Sequence, residues 1–214
     1  MRIEMINVSK TIRGVQVLDK VSLKMMSGMV YGLEGPNGSG KTMLMRALLG
    51  LVRINAGEVL IDGKRLGVDM DFAPNAGALI ETAAFIPGKS GRENLLYLAG
   101  IRGLVGPEEV DGALREVGLS GAGKKKFRQY SLGMRQRLGI AAAVLERPDL
   151  VVLDEPTNAL DEQGVEMVEG VVAKQKARGA LTVVSCHDAE VLREMVDVVF
   201  RLSEGRIVDE EKVC

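Results

Sequence analysis

The chain has 214 residues, 46% of them hydrophobic, and its 28 Lys and Arg residues nearly balance its 29 Asp and Glu residues. This composition excludes a disordered chain, and the near-zero net charge argues against nucleic acid or an anionic membrane as the primary ligand. No apolar run approaches the ~20 residues that cross a bilayer, and the charged N-terminus resembles no export signal, so we expect a cytoplasmic protein. The two cysteines, Cys186 and Cys214, form no CxxC pair and are expected to be reduced thiols.

Hydrophobic patterning divides the chain into strands and helices. It predicts strands at 2–8, 21–25, 29–34, 57–62, 77–81, 150–153, 181–185 and 197–202, and helices at 41–49, 91–100, 107–117, 132–146, 161–178 and 188–196. Early hairpins followed by β–α alternation indicate an α/β fold with a mostly parallel core sheet and an antiparallel β portion. Because residues from about 85 to 145 carry helical patterns and almost no strand signal, we predict a single domain over 1–214 with a helical subdomain inserted there.

A glycine-rich loop follows the strand predicted at 29–34. Its sequence, Gly35-Pro36-Asn37-Gly38-Ser39-Gly40-Lys41-Thr42, matches G-x-x-x-x-G-K-[ST] at every fixed position. Glycines let the backbone wrap closely around phosphate oxygens, and the N-terminus of the helix that follows favours an anion. We therefore predict a nucleotide site in which Lys41 holds the β- and γ-phosphates and Thr42 ligates Mg²⁺, with Met43 also at the nucleotide.

Two carboxylates end the strand predicted at 150–153. Asp154 and Glu155 follow its apolar residues directly, and the C-terminal edge of a parallel sheet is where α/β folds bind ligands. We predict that Asp154 holds Mg²⁺ directly or through water, as in P-loop nucleotidases. We predict that Glu155, one residue on, orients or deprotonates the attacking water.

Further segments distinguish between P-loop families. The chain carries Tyr130-Ser131-Leu132-Gly133-Met134-Arg135-Gln136-Arg137 before the carboxylates, and Asn158-Ala159-Leu160-Asp161 and Ser185-Cys186-His187-Asp188 after them. Together with the phosphate loop, this set resembles the ATP-binding subunits of ABC transporters over essentially the whole chain. Within that family, Ala78-Leu79-Ile80-Glu81 and the segment from Tyr130 resemble the branch that serves bacitracin- and lantibiotic-type exporters.

The resemblance implies ATP, Mg²⁺ and a head-to-tail homodimer. In such dimers two ATP molecules lie between the phosphate loop of one copy and the signature segment of the other. Ser131 and Gly133 would then contact the γ-phosphate in trans, and Asp161 would lie at the dimer seam. His187, the only histidine of the chain, resembles the switch histidine that bonds the γ-phosphate and helps hold the attacking water.

This sequence departs from the family pattern at three places. Leu132 and Met134 replace a glycine and the glutamine of the usual Ser-Gly-Gly-Gln signature, so the segment must use an ordinary helix-start geometry. Glu81 replaces a glutamine that touches Mg²⁺; its carboxylate is a competent ligand, and the alternative is a solvated turn residue. Relatives stack adenine on an aromatic residue where this chain offers only Ile12 and Arg13 for contact with the base.

Together these features predict an ATP hydrolase subunit that powers a separately encoded membrane permease. The resemblance points to export of an antimicrobial peptide or a similar compound, with the chain held at the inner face of the membrane through the permease. Residues from Glu81 to about Leu98 are the candidate docking surface. The alternative is a soluble ABC-type ATPase acting on ribosomes or DNA. The chain length and near-neutral charge favour the transporter subunit, and we expect no nucleic-acid partner.

Overall fold

The computed structural model describes residues 1–122 and 124–213. Gly123 and Cys214 lie outside the described residues, and the prediction of a reduced thiol at Cys214 falls there. The strands are β1 (Arg2–Ile12), β2 (Val15–Met26), β3 (Val30–Glu34), β4 (Ala56–Ile61), β5 (Lys64–Arg65), β6 (Ala76–Leu79), β7 (Leu150–Leu153), β8 (Leu181–Ser185), β9 (Val198–Ser203) and β10 (Arg206–Lys212). The helices are α1 (Lys41–Leu49), α2 (Gly91–Arg102), α3 (Pro107–Glu116), α4 (Leu132–Val144), α5 (Glu162–Ala177) and α6 (Ala189–Met195).

The strands form two sheets. One is antiparallel and has the order β2-β1-β4-β5. The other has the order β10-β9-β3-β8-β7-β6, in which β9 through β6 are parallel and β10 is an antiparallel edge strand. The predicted α/β fold, with a mostly parallel core sheet and an antiparallel β portion, is confirmed.

The middle of the parallel sheet is buried on both faces. Every residue of β7 and β8 is buried, and β7 sends Val151 and Leu153 into one apolar cluster and Leu150 and Val152 into another. Such two-sided burial explains the continuous apolar runs that predicted these strands. Since β3, β7 and β8 are parallel, the segments that follow them leave the sheet at one edge.

The predicted elements are all present, with shifted ends. β1 continues to Ile12, beyond the predicted end at 8, because it pairs with β2 along its length. β6 ends at Leu79, so Ile80 and Glu81, which were predicted to be in the strand, lie outside it. The two-residue strand β5 was not predicted, since two residues show no periodicity.

Among the described residues between β6 and β7, the helices α2, α3 and α4 account for about half. α2 begins with a capping box formed by Ser90 and Glu93, and α4 begins where the Ser131 side chain accepts a hydrogen bond from the Met134 N–H. α4 packs against β6. Whether this stretch is a separate helical subdomain stays a prediction. Among the described residues, no helix combines the length and apolar character that a membrane crossing requires.

The contact between β6 and α4 generates a prediction about stability. A Cβ atom added at Gly77 would lie 1.8 Å from the backbone oxygen of Ala143. We expect Gly77→Ala to lower the free energy of unfolding by about 1–3 kcal/mol, the usual range for overpacking a core. Urea denaturation measures this change.

Gly170→Ala is the matched control, because a Cβ atom at this helical glycine of α5 meets nothing within 4 Å. Alanine is favoured over glycine in a helix interior by about 1 kcal/mol, so this variant should be as stable as the wild type or more stable. Equal stabilities of the two variants would show that β6 and α4 are not in close contact.

Candidate nucleotide-binding and hydrolytic site

The phosphate loop joins the end of β3 to the start of α1. Three of its glycines have positive φ, at 154° for Gly35, 79° for Gly38 and 109° for Gly40. A Cβ atom at Gly35 would lie 2.3 Å from the Leu202 oxygen, so the loop also needs glycine for space. No side chain caps the N-terminus of α1, which leaves its backbone dipole directed at the loop. This arrangement suits a bound phosphate.

Lys41 lies inside this loop. Its side chain is only 7% exposed, and its Nζ donates hydrogen bonds to the backbone oxygens of Gly35 at 2.6 Å and Pro36 at 3.3 Å. A buried ammonium group held by carbonyl oxygens is costly to desolvate unless an anion approaches it. The position fits the predicted contact of Lys41 with phosphate oxygens.

The carboxylate of Asp154 links the start of α1 to the end of β8. Its carboxylate is buried and accepts hydrogen bonds from Thr42 Oγ1 and from Ser185 Oγ, both at 2.7 Å. The predicted metal ligands Thr42 and Asp154 are therefore in direct contact. Hydroxyl and carboxylate oxygens are the donors that Mg²⁺ prefers, so this pair fits the ion, with nucleotide phosphates supplying further oxygens.

Glu155 lies between two basic side chains. Its Oε1 is 4.0 Å from Lys41 Nζ and 3.4 Å from His187 Nε2. Both of its side-chain oxygens are buried and have no hydrogen-bond partner among the described residues. Burial raises the pKa of Glu155, an effect that the charges of His187 and Lys41 oppose and that of Asp154 reinforces. A buried carboxylate with unused acceptors suits a group that binds and deprotonates water.

The backbone of Glu155 is fixed on both sides. Its N–H donates to Ser185 Oγ at 2.9 Å, and its carbonyl oxygen accepts from Gln136 Nε2 at 2.9 Å. Glu155 also has a positive φ of 50°, which is uncommon for a residue other than glycine and is maintained only where neighbours fix it. Ser185 and Gln136 are thus site residues for which the sequence analysis predicted no role. Both stood in quoted motifs, but their hydrogen bonds depend on the fold.

Glu81 has a different partner from the one expected. Its carboxylate forms an ion pair with Arg46 of α1 at 2.9 Å, and its side chain is 63% exposed. Arg46 lies on the same helix as Thr42, one turn further on. Glu81 is therefore attached to the helix that begins at the phosphate loop, and its predicted contact with Mg²⁺ stays a prediction.

The residues predicted to contact the base lie on the hairpin between β1 and β2. Ile12 ends β1 and is partly exposed, and Arg13 is an exposed turn residue with φ of 48°. The same hairpin reaches the phosphate loop, since a Cβ atom at Gly40 would lie 2.8 Å from the Val17 oxygen. Met43 lies on α1 directly after Thr42. The hairpin and α1 thus border the same loop.

The residues predicted to act in trans form a second group. Ser131 is exposed at the start of α4, and a Cβ atom at Gly133 would lie 2.9 Å from the Ala159 oxygen. Asp161 caps α5 by accepting from the Gly164 N–H, and it also accepts from Arg137 Nη2 at 3.2 Å. The start of α4 and the start of α5 therefore lie side by side. The helix-start geometry expected for the altered signature is present.

Comparison with known proteins places this site in a family. The family model described as ABC transporter matches residues 18–158, about two thirds of the chain. The chain belongs to the ABC transporter family of ATP-binding proteins. It is 39% identical to the uncharacterized ABC transporter ATP-binding protein YybJ of Bacillus subtilis, over 99% of this chain and 97% of that protein. It is 37% identical to the bacitracin transport ATP-binding protein BcrA of Enterococcus faecalis, over 99% of this chain and 69% of that protein.

Solved structures agree with this assignment. The chain superimposes with a TM-score of 0.89 on a dimeric structure of a post-hydrolysis state of the ATP-binding cassette MJ0796 bound to ADP and Pi. The two are 27% identical, and the match covers 99% of each chain. The expected resemblance to this family, its bacitracin-transport branch included, is confirmed. This ABC ATPase binds and hydrolyses ATP.

The buried carboxylate generates a prediction about activity and stability. We expect Glu155→Gln to bind MgATP but to lose at least about 10²-fold in kcat, since general base catalysis contributes about 10²–10⁴-fold.

A raised pKa means that ionised Glu155 destabilises the folded chain above the ordinary pKa of glutamate. Glu155→Gln should therefore have a higher Tm than the wild type at pH 7, and the difference should shrink towards pH 4.

Steady-state hydrolysis and calorimetry across this pH range measure both effects. The wild-type kcat should fall on the acid side at a pH above the usual glutamate value of about 4.3, because protonated Glu155 accepts no proton from water. An active Glu155→Gln variant would remove Glu155 as the base.

Proposed function

We propose that this ABC ATPase is the motor subunit of a membrane exporter, whose transmembrane permease is a separate chain and whose cargo is an antimicrobial peptide or a similar compound. The likeness to a bacitracin transport ATP-binding protein over nearly the whole chain carries the proposal. The chain then lies at the cytoplasmic face of the membrane, bound there by the permease. ATP hydrolysis supplies the energy, and the permease selects the cargo.

We assign the hydrolytic roles by geometry. Lys41 and the backbone N–H groups from Asn37 to Thr42 bind the β- and γ-phosphates, and Thr42 and Asp154 hold Mg²⁺, which neutralises phosphate charge when bound. Glu155 accepts a proton from the attacking water, and Lys41 and His187 beside it stabilise its ionised form. His187 also orients the γ-phosphate, since its half-exposed ring borders the same cavity as Gly35 and Pro36 of the phosphate loop.

We propose that two copies assemble head to tail around two ATP molecules. Ser131 and Gly133 lie on different elements from the phosphate loop, and Ser131 is exposed. They are therefore available to a nucleotide held by another copy. The start of α4 supplies backbone donors and the Ser131 hydroxyl to a γ-phosphate, and Asp161 beside it lies at the seam.

We propose that the permease docks on the surface from Glu81 to about Leu98. Ile86, Tyr97 and Leu98 are exposed by 50%, 53% and 39%. The outward side of α2 continues this surface with Ile101, exposed by 77%. Exposed apolar residues clustered on one helix are typical of a protein interface. Through the ion pair with Arg46, Glu81 connects this surface to α1 and so to the phosphate loop.

A complementation experiment tests the shared site. In the mixed dimer of Ser131→Asp and Glu155→Gln, one nucleotide site combines intact Glu155 with intact Ser131. Aspartate retains the N-cap of α4 but brings a negative charge to the γ-phosphate. Each variant alone should be nearly inactive, whereas a mixture should recover up to about a quarter of the wild-type rate if dimers form at random.

Hydrolysis is measured as phosphate release at several total protein concentrations. The rate per subunit should also rise with concentration as dimers form. A mixture no more active than the sum of its separate variants would show that each site is built from one chain.

Co-purification from the native cell tests the transporter assignment. Membranes are solubilised gently with ATP present, and the tagged chain is recovered with its partners. A polytopic membrane protein in about equal amount is expected. Recovery with ribosomes or DNA alone would instead support the soluble ABC-type ATPase. As a control, a variant with Tyr97→Ser and Ile101→Ser, which changes only exposed residues, should lose the permease but keep basal hydrolysis.

A further inference from the structure

One ion-pair cluster joins the helix after His187 to the strand before the phosphate loop. Arg193 of α6 contacts Glu34 Oε2 at 3.3 Å and Glu211 Oε2 at 3.0 Å. Glu34 is the last residue of β3 and directly precedes Gly35. Arg201 of β9 lies on the other side of the same carboxylates, 3.7 Å from Glu34 and 3.6 Å from Glu211. None of these residues belongs to the motifs that identified the site.

The cluster lies beside a cavity. Glu34, Gly35, His187 and Arg201 border a single cavity of about 550 Å³. On this side the His187 segment and the phosphate loop are therefore not packed directly against each other. A polar bridge is what connects them here.

α6 contacts the sheet in two ways. It has seven residues, and its buried Leu192 touches β3 at Gly32, where an added Cβ atom would lie 3.1 Å from Leu192. Val191 and Met195 join Leu192 in the same apolar cluster. Arg193 adds a polar contact, because its ion pair with Glu34 ties α6 to the last residue of β3. His187 lies two residues before α6, so this ion pair connects the His187 segment to the residue that precedes the phosphate loop.

We propose that Arg193 and Glu34 are positioning residues for ATP hydrolysis, which hold His187 in register with the phosphate loop. The proposal rests on the role assigned above to His187. Partly exposed ion pairs contribute little to global stability. The pair should therefore act on the hydrolytic step and leave folding almost unchanged.

The experiment compares Arg193→Gln and Glu34→Gln with Arg201→Gln. The control removes the same charge from the same cluster, but it lies on β9 and also pairs with Asp209 at 2.8 Å. We expect Arg193→Gln and Glu34→Gln to lower kcat at least about fivefold, since a small displacement of a catalytic group can cost up to ~10²-fold. The dissociation constant for MgATP and the Tm should stay close to the wild-type values. Arg201→Gln should keep kcat within about twofold of wild type.

Arg193→Lys provides a graded test, because lysine keeps the charge but has one nitrogen in place of the two that contact the carboxylates through Nη2 and the Ala189 oxygen through Nη1. Its kcat should fall between those of the wild type and Arg193→Gln. The double variant Glu34→Gln/Arg193→Gln should be no slower than the slower single variant, as expected for two residues that act as one pair.

Nuclear magnetic resonance gives a readout that a purely structural role would not change. The chain contains one histidine, so without a histidine tag its ring gives one Cε1–Hε1 signal. In the ADP-bound state this signal should shift or broaden in Arg193→Gln and stay in place in Arg201→Gln. An unchanged signal with a wild-type kcat in Arg193→Gln would overturn the proposal, as would equal losses of kcat in Arg193→Gln and Arg201→Gln.

His187→Ala separates this proposal from the one on which it rests. If His187→Ala hydrolyses ATP at the wild-type rate, the role assigned to His187 fails, and the positioning role fails with it. If His187→Ala is slow while Arg193→Gln and Glu34→Gln are fully active, only the positioning role fails. Slow hydrolysis in all three variants, with Arg201→Gln active, is the expected result.

Discussion

The carboxylate of Asp154 is the point on which the site depends. It accepts hydrogen bonds from Thr42 at the start of α1 and from Ser185 at the end of β8, while Asp154 itself follows β7. A buried carboxylate lowers stability unless its acceptors are satisfied, so the fold favours the one arrangement in which these three elements meet. The parallel sheet permits this meeting, because β7 and β8 are neighbours and β3, which leads to α1, lies beside β8. The Asp154 side chain therefore links the packing of the parallel sheet to the geometry of the site at its edge.

Unlike Asp154, Glu155 has a buried carboxylate that accepts no hydrogen bond from the described residues. Asp154 therefore holds the site together, whereas Glu155 is suited to the reaction. Its oxygens are buried without hydrogen-bond partners among the described residues, while its backbone is held by Ser185 and Gln136. The fold thus fixes the position of this residue but leaves its carboxylate unsatisfied. An unsatisfied buried carboxylate lowers the stability of the fold, but its oxygens can accept a hydrogen bond from a reactant that binds beside it. Lys41 and His187 limit the cost, because their charges favour the ionised carboxylate.

The fold was largely predictable because its elements carry strong local signals. β7 and β8 are short, mostly apolar runs, and α1 lies between a glycine-rich loop and Gly50, so the bounds of all three were predicted to the residue. The end of β6 was placed too late, since Ile80 continues the apolar pattern beyond the last paired residue. Motif residues such as Lys41 and Asp154 were found because their spacing along the chain is itself the signal. Ser185, Gln136, Arg46 and Arg193 act through partners 18 to 159 residues away, which no local pattern encodes.

Helix α4 has a further consequence for how two sites of a dimer would behave. Its N-cap is Ser131, which in the proposed dimer lies at the nucleotide of the other copy, while Gln136, little more than one turn on, holds the backbone of Glu155 in its own copy. An α-helix of 13 residues is a stiff rod about 20 Å long. A displacement of the start of α4 by the ATP of the other copy would therefore also move Gln136, which holds the backbone of Glu155. In the proposed dimer, contact with one ATP molecule and support of the catalytic glutamate at the other site would therefore share the start of a single helix.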